Sequence, residues 1–423
     1  MALLALAVRV TYVLGTEPRH LPFTDSLYYQ QLANDLAAGH GFIDPLRLLA
    51  TGHATPTAEH PPLYPLVLAF GSLLGARSVQ AHQLIGCLIG VGTVLCVGAT
   101  AATVAGKRAG LYAGVVAAVD PTLWLNDGGI DAESLFALTL GVALLASYRF
   151  VRRPSLRWAA ALGAALGSAV LTRAESALLL VLLAMLIACS LARRGGRRVG
   201  ALLSLALLTS LAVIAPWEIR VLATFQRPVF ISTEGGGVLA GANCARTYHG
   251  NLVGLWVIKD CYPYPLPTGD ASVRSNAEAR HGVRYAETHL SSVPMVMAIR
   301  VAREWEIYRP AQDAKWDTDD GRPTWGNLAA LAVFYLMVPF AVGGLVVLRR
   351  SGVTLLPMTA LVLEAVIAAA ATVGLVRFRT PADLVMAVTA GISLNALARR
   401  FPASVGHVGA QGLDPTRRRG ARG

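Results

Sequence analysis

The chain has 423 residues and is 54% hydrophobic and 15% charged, with a mean hydropathy of +0.52. A soluble domain carries about 25% charged residues, so a single soluble core is excluded. Apolar runs of about 16–28 residues, the length a bilayer demands, recur along the chain and indicate an all-α polytopic membrane protein. The formal charge of +12 invites a nucleic-acid partner. The arginines stand instead in short clusters between apolar runs, as cytoplasmic loops require, so no nucleic acid is expected.

In chain order, the first apolar run, Met1–Gly15, lacks a basic n-region and a small-residue cleavage site, so no cleavable signal peptide is expected. It is short for a span and carries Arg9, as a truncated or misassigned start would leave it. The polar loop 16–61 follows. Asp25 opens a helical pattern over 26–38, Gly39-His40-Gly41 stops it, and Glu59-His60-Pro61-Pro62 returns the chain to the bilayer. Acids at a membrane surface are costly unless used, which marks this loop as the active-site loop. Ten spans are expected: 1–15, 79–106, 109–125, 132–150, 156–172, 174–192, 199–217, 327–348, 353–375 and 380–398.

Charge decides the ambiguous run 62–76. If it does not cross, Lys107-Arg108, Arg149 with Arg152-Arg153, Arg193-Arg194 with Arg197-Arg198, Arg349-Arg350 and Arg399-Arg400 all fall on one side, the cytoplasm under the positive-inside rule. Helix 62–76 is therefore expected at the outer interface or as a re-entrant element. The chain then divides into a transmembrane catalytic module (1–217), an extracytoplasmic α-rich or mixed segment (218–325), C-terminal spans (326–400) and a disordered basic cytoplasmic tail (401–423) near anionic lipid. Within the segment, Ile231 to Gly237 read as turn-rich, with Gly235 to Gly237 a flexible turn rather than a phosphate nest, 272–308 as helical and 310–325 as an irregular polar loop. Cys244 and Cys261 are its only cysteines, and an extracytoplasmic placement lets them pair as a disulfide.

This topology gathers acids and arginines on the outer face: Asp25; Asp127, Asp131 and Glu133; and Arg173, Glu175, Arg220, Arg377 and Arg379 at span ends. An aspartate with an unperturbed pKa of about 3.9 is ionised at neutral pH and can take a hydroxyl proton. Arginines fork onto phosphate oxygens and stabilise a leaving phosphate. Bland readings stand beside these. Asp25 is also a good helix N-cap; Arg173 and Glu175 can pair with each other; Arg377 and Arg379 can be interfacial anchors. Glu364 lies inside span 353–375, where an acid is unusual: it is either functional or packed against a polar neighbour in the bundle.

Asp25-Ser26-Leu27-Tyr28-Tyr29, then Gly39-His40-Gly41-Phe42, then Glu59-His60-Pro61-Pro62-Leu63-Tyr64-Pro65 resemble the first external loop of GT-C glycosyltransferases. The nearest branch is the bacterial group similar to protein O-mannosyltransferases and lipid A aminoarabinose transferases (glycosyltransferase family 39-like). Pro121, Asp131 to Phe136, Leu171 to Glu175, Ala215 to Arg220 and Arg377 to Asp383 continue the match in the family's order. The resemblance implies inverting transfer of a sugar from a polyprenyl-phosphate donor to an acceptor glycan, lipid or protein, at the outer face of the inner or plasma membrane. It places Asp25 at the catalytic acid, and Asp131 or Asp127 at a second functional acid. Tyr28, Glu59, His60, Arg173, Arg220, Arg377 and Arg379 are the candidate substrate contacts. Glu59 matches a loop acid that helps hold a metal in the aminoarabinose transferases, whereas His60 stands where those enzymes have lysine. His249 is the candidate second ligand for a divalent metal; two ligands fall short of a zinc site's three or four, so no cofactor is assigned. The rivals are a transporter or flippase of lipid-linked sugars, which needs a polar path through the bundle, and a non-catalytic membrane scaffold.

Overall fold

Backbone polar groups in hydrocarbon must be satisfied within their own segment, so long apolar runs fold as helices. The computed structural model describes residues 1–15, 24–193, 195–316, 318 and 321–400. Residues 16–23, at the start of the active-site loop, Arg194 and the tail 401–423 lie outside it. Among the described residues there are nineteen α-helices and no strand, and one isolated bridge joins Ile43 to Pro56.

The first half runs α1 (Ala2–Gly15), α2 (Asp25–Ala37), α3 (Pro45–Thr51), α4 (Leu63–Leu73), α5 (Val79–Ala105), α6 (Lys107–Val119), α7 (Pro121–Gly128), α8 (Glu133–Arg152), α9 (Leu156–Val170), α10 (Ala177–Ala192) and α11 (Arg197–Thr224). Then come α12 (Glu234–Ala242), α13 (Ala245–Tyr248), α14 (Ala271–Thr288), α15 (Val293–Glu304), α16 (Pro310–Trp316), α17 (Thr324–Arg350), α18 (Leu356–Ala371) and α19 (Thr380–Arg400). Six stretches are long and apolar enough to cross a membrane: Val79–Ala105, Glu133–Arg152, Ala174–Ala192, Arg197–Thr224, Thr324–Arg350 and Val376–Arg400. Helices α1, α9 and α18 are apolar but have 14, 15 and 16 residues, about 21–24 Å at 1.5 Å per residue against a core of about 30 Å. The run expected as span 109–125 breaks where Asp120 caps α7, its Oδ1 accepting from the Thr122 N–H at 3.0 Å.

Helix α4 has 11 residues, too few to cross a bilayer. It packs on α2 through Tyr64, Leu68 and Ala69, while Leu66, Phe70 and Leu73 stay exposed. The arginine clusters gather at one end of the bundle. There the Arg152 guanidinium donates to the Thr103 carbonyl at 2.5 Å, and the Tyr148 hydroxyl to the Thr354 carbonyl at 3.0 Å.

The buried charge of α1 is matched within the bundle. Arg9 is fully buried, with Nε 2.6 Å from Asp127 Oδ2 and Nη1 donating to the Ala5 and Ala118 carbonyls. Gly90 makes room for the pair: a Cβ there would lie 2.0 Å from Asp127 Oδ2. Asp127 is thus the counter-charge of a membrane-embedded arginine.

The segment after α11 carries α12 to α16 joined by irregular stretches, with no strand among its described residues, and is tied to the spans. Cys244 and Cys261 are joined, with Cα atoms 5.3 Å apart. Arg300 donates to the Ala370 carbonyl at the end of α18, and the Gly374 N–H to the Gly254 carbonyl. Two readings are corrected here. Residues 310–316 form α16 rather than irregular loop, because Asp313 is drawn in as the partner of the fully buried Arg303. Glu234 to Gly237 form the first turn of α12 rather than a flexible turn, and Gly236 lets α14 approach: a Cβ there would lie 2.0 Å from the Ser275 carbonyl oxygen.

Breaking a buried ion pair on one side costs about 3–5 kcal/mol, because the other charge is left uncompensated. Asp127→Ala is therefore expected to lower the thermal unfolding temperature in detergent strongly, and the double variant Arg9→Met/Asp127→Leu to recover most of the loss. A single variant that keeps wild-type stability would remove this role for Asp127.

Candidate active site

Thr24 occupies the N-cap position of α2, so Asp25 is the first helical residue and its carboxylate is not spent on capping. A carboxylate in the first turn is favoured by the helix dipole. The side chain turns toward Arg377, in the short 3-10 turn Val376–Arg379 between α18 and α19, with Nη1 3.2 Å from Asp25 Oδ2. Its other oxygen faces His60 Nε2 at 3.6 Å, and His60 Nδ1 is 3.1 Å from Glu234 Oε2 at the start of α12.

The returning arm of the loop sets His60. The Thr233 N–H donates to the Ala58 carbonyl at 2.7 Å, and the Leu63 N–H to the Leu171 carbonyl at 2.9 Å. Tyr28 and Tyr29 both pack against the imidazole, at centroid distances of 4.9 and 5.0 Å. Arg173, at the end of α9, ion-pairs with Glu133 at the start of α8 and with Glu175 at 2.5 Å, and lies over the Phe378 ring at 4.7 Å. Glu133 also stands 4.0 Å from Arg377 Nε. These groups line one cleft of about 360 Å³, whose outer wall is Glu234, Gly235, Val238 and Leu239. A side chain at Gly235 would meet open space.

The electrostatics follow from this packing. Burial alone would raise the Asp25 pKa, but the charges of His60, Arg377 and Arg173 outweigh it and hold the carboxyl below its usual range. Burial alone would lower His60; Glu234 and Asp25 outweigh it and raise the imidazole to about 10. Glu234 is likewise held low by His60 against its own burial. At neutral pH the cleft therefore carries an imidazolium between two ionised carboxylates, beside two guanidinium groups.

The sequence model of the Dolichyl-phosphate-mannose-protein mannosyltransferase family matches residues 59–219. No curated protein matches the chain by sequence. Among solved structures, the Archaeoglobus fulgidus oligosaccharyltransferase in its apo form superposes with a TM-score of 0.54 and 13% identity, covering 95% of this chain and 50% of that one. This is the GT-C fold. The same organism's oligosaccharyltransferase AglB, in complex with an inhibitory peptide and a dolichol-phosphate, superposes at 0.53 with 16% identity over the same shares. The chain spans about half the length of those proteins. ArnT from Cupriavidus metallidurans bound to undecaprenyl phosphate gives a TM-score of 0.43 with 15% identity, covering 94% of this chain and 79% of that one.

Within this GT-C bundle the expected site residues separate. Asp25, His60, Arg173 and Arg377 line the cleft. Asp131 lies behind the start of α2, where the Ser26 hydroxyl donates to it at 3.2 Å, and Asp127 is paired with Arg9. Tyr28 is buried behind His60 with its hydroxyl 2.7 Å from Thr57 Oγ1, and the neighbouring Tyr29 is the one that lines the cleft. Arg220 donates to the Thr57 and Phe42 carbonyls and lies over both the Phe42 and Trp217 rings, so it fastens the loop to α11. Arg379 is fully buried, paired with Glu306 at 2.7 Å and Asp383 at 2.8 Å. Glu59 and His249 are exposed and outside the cleft.

Among the described residues no three His, Cys, Asp or Glu side chains are grouped to hold a metal. The histidine nearest the acids has both ring nitrogens facing carboxylates. These residues do not fit a metal, and no step is derived through one. Glu133 and Glu234 complete the cleft beyond the expected set. Glu133 carried a visible signal as a first-turn acid of a span; Glu234 did not, because its partner His60 is 174 residues away.

A group whose pKa is raised on folding stabilises the fold below its unfolded value, and that contribution is lost as pH rises through the folded value. For His60 the window runs from about 6.5 to about 10. Thermal unfolding of the wild type is expected to lose stability across this window, and His60→Gln to show a flatter profile. Equal slopes in the two proteins would contradict a protonated His60.

Proposed function

We propose that this protein is an integral membrane glycosyltransferase that moves one sugar from a polyprenyl-phosphate donor to an acceptor hydroxyl, with inversion, at the outer face of the membrane. The observation that carries the reading is an aspartate kept ionised between an imidazolium and an arginine, at a cleft that a second arginine also lines. The family match and the GT-C fold support the reaction class. That AglB was solved with a dolichol-phosphate supports a lipid-phosphate donor.

In this mechanism the donor phosphate enters beside Arg377 and Arg173 and draws Arg377 away from Asp25. The freed carboxylate takes the proton of the acceptor hydroxyl as its oxygen attacks the anomeric carbon from the face opposite the phosphate. The bond between that carbon and the phosphate oxygen breaks. The electron pair stays on the polyprenyl phosphate, whose added charge the two guanidinium groups neutralise. His60 remains protonated and holds Asp25 ionised between turnovers. Ten spans would place this cleft outside and the arginine clusters inside, with 218–325 as an extracytoplasmic cover whose Glu234 completes the site.

Membranes containing wild type or Asp25→Asn, supplied with a panel of radiolabelled polyprenyl-phosphate sugars, test the reading. Removing a general base costs typically 10²–10⁴-fold, so transfer from one donor is expected to fall by about that factor at equal amounts of folded protein. Arg377→Ala is expected to weaken donor use as well, with KM raised and kcat lowered. Transfer by Asp25→Asn at the wild-type rate, or no transfer from any donor, would overturn the proposal.

A further inference from the structure

A second cavity, of about 320 Å³, opens at the other end of the bundle between α8, α9, α10, α11 and α18. Its walls are apolar: Leu144, Leu166, Leu183, Leu203 and Leu361 among others. It exists because α10 stands away from the bundle; only 17% of the apolar window of Ala174–Ala192 is buried, with Val181 and Met185 on the outside. The groove is polar only toward one mouth, where Arg193, Ser190, Ser147 and Thr354 meet.

That mouth lies in the arginine-rich end, and the sequence there has no counter-charge. No Asp or Glu occurs in 98–112, 145–160, 186–203, 345–360 or 384–400, the stretches that carry Lys107, Arg149, Arg193, Arg349 and Arg399. The groove is also closed off from the cleft. Ser176 and Glu364, both buried, stand between them with Ser176 Oγ 3.4 Å from Glu364 Oε1, and Leu179 and Leu361 pack just below. A tail bound at the cleft has no open path through this contact.

We propose that this groove is a binding site for an anionic phospholipid of the leaflet facing the arginine-rich end, with one acyl chain between α10 and α18 and the phosphate on Arg193. The lining follows α10 from Leu179 to Ser190, about 16 Å at 1.5 Å per residue, which suits an acyl chain, and the arginine at its mouth suits a phosphate. The site is independent of the transfer reaction proposed above and is read without turnover.

The test is native mass spectrometry of the full chain in mild detergent, with phosphatidylglycerol or phosphatidylcholine titrated in. Wild type, Arg193→Lys, Arg193→Glu and Leu183→Trp are compared, each first checked for wild-type thermal unfolding. One juxtamembrane arginine is worth about 1 kcal/mol toward an anionic surface. Wild type and Arg193→Lys are expected to hold one phosphatidylglycerol per chain about fivefold or more in preference to phosphatidylcholine. Arg193→Glu is expected to lose the preference, and Leu183→Trp to lose retention of both lipids by filling the groove. Retention of phosphatidylglycerol by Arg193→Glu at the wild-type level, or equal retention of the two lipids by wild type, would overturn the proposal. So would displacement of the bound lipid by a polyprenyl phosphate, which would assign the groove to the donor's tail.

Discussion

His60 sits between Asp25 and Glu234, almost wholly out of solvent, and most of the cleft is arranged around that bridge. An imidazolium in such a place is costly unless carboxylates surround it. Here one comes from the first helix of the active-site loop and the other from the segment beyond α11. The bridge therefore does two things at once. It acts with Arg377 and Arg173 to keep Asp25 charged against its burial, and it joins two distant parts of the chain across the cleft. The two tyrosine rings against the imidazole, and the Ala58–Thr233 hydrogen bond, fix its position.

The arginines are divided by the same economy of charge. Arg377 and Arg173 each keep a carboxylate partner at the cleft, Asp25 for the first and Glu133 and Glu175 for the second. Arg379, two residues along, points into the protein and secures the turn after α15 against α19. Alternation around Phe378 thus produces one cleft arginine and one structural arginine. Arg220 spends its donors on the Thr57 and Phe42 carbonyls of the loop.

Much of this was legible in the sequence. The apolar runs gave the helices, and the order of the loop motifs pointed to Asp25, His60, Arg173 and Arg377. What failed was pairing across distance. Asp127 read as a loop acid because a span count ends near it, yet Arg9 in an apolar run already demanded a buried partner, and that demand was a usable signal. Glu234 could not be found this way: an acid before three glycines reads locally as a turn, and only the approach of α14 on Gly236 makes it helical. Helix α16 has only seven residues and opens on a proline, and its formation depends on Arg303, a tertiary constraint that local propensity does not carry. The count of crossings is the least legible feature, since α1, α9 and α18 are shorter than a bilayer is thick.

The central claim is that charge from His60 keeps the base ionised. The most direct measurement is the pH–rate profile of sugar transfer by wild type and by His60→Gln. Loss of a nearby positive charge raises a carboxyl pKa, so the acidic limb of the profile is predicted to move to higher pH in His60→Gln, with activity recovering as pH rises. An acidic limb at the same pH in both proteins, with the variant slower throughout, would contradict the account.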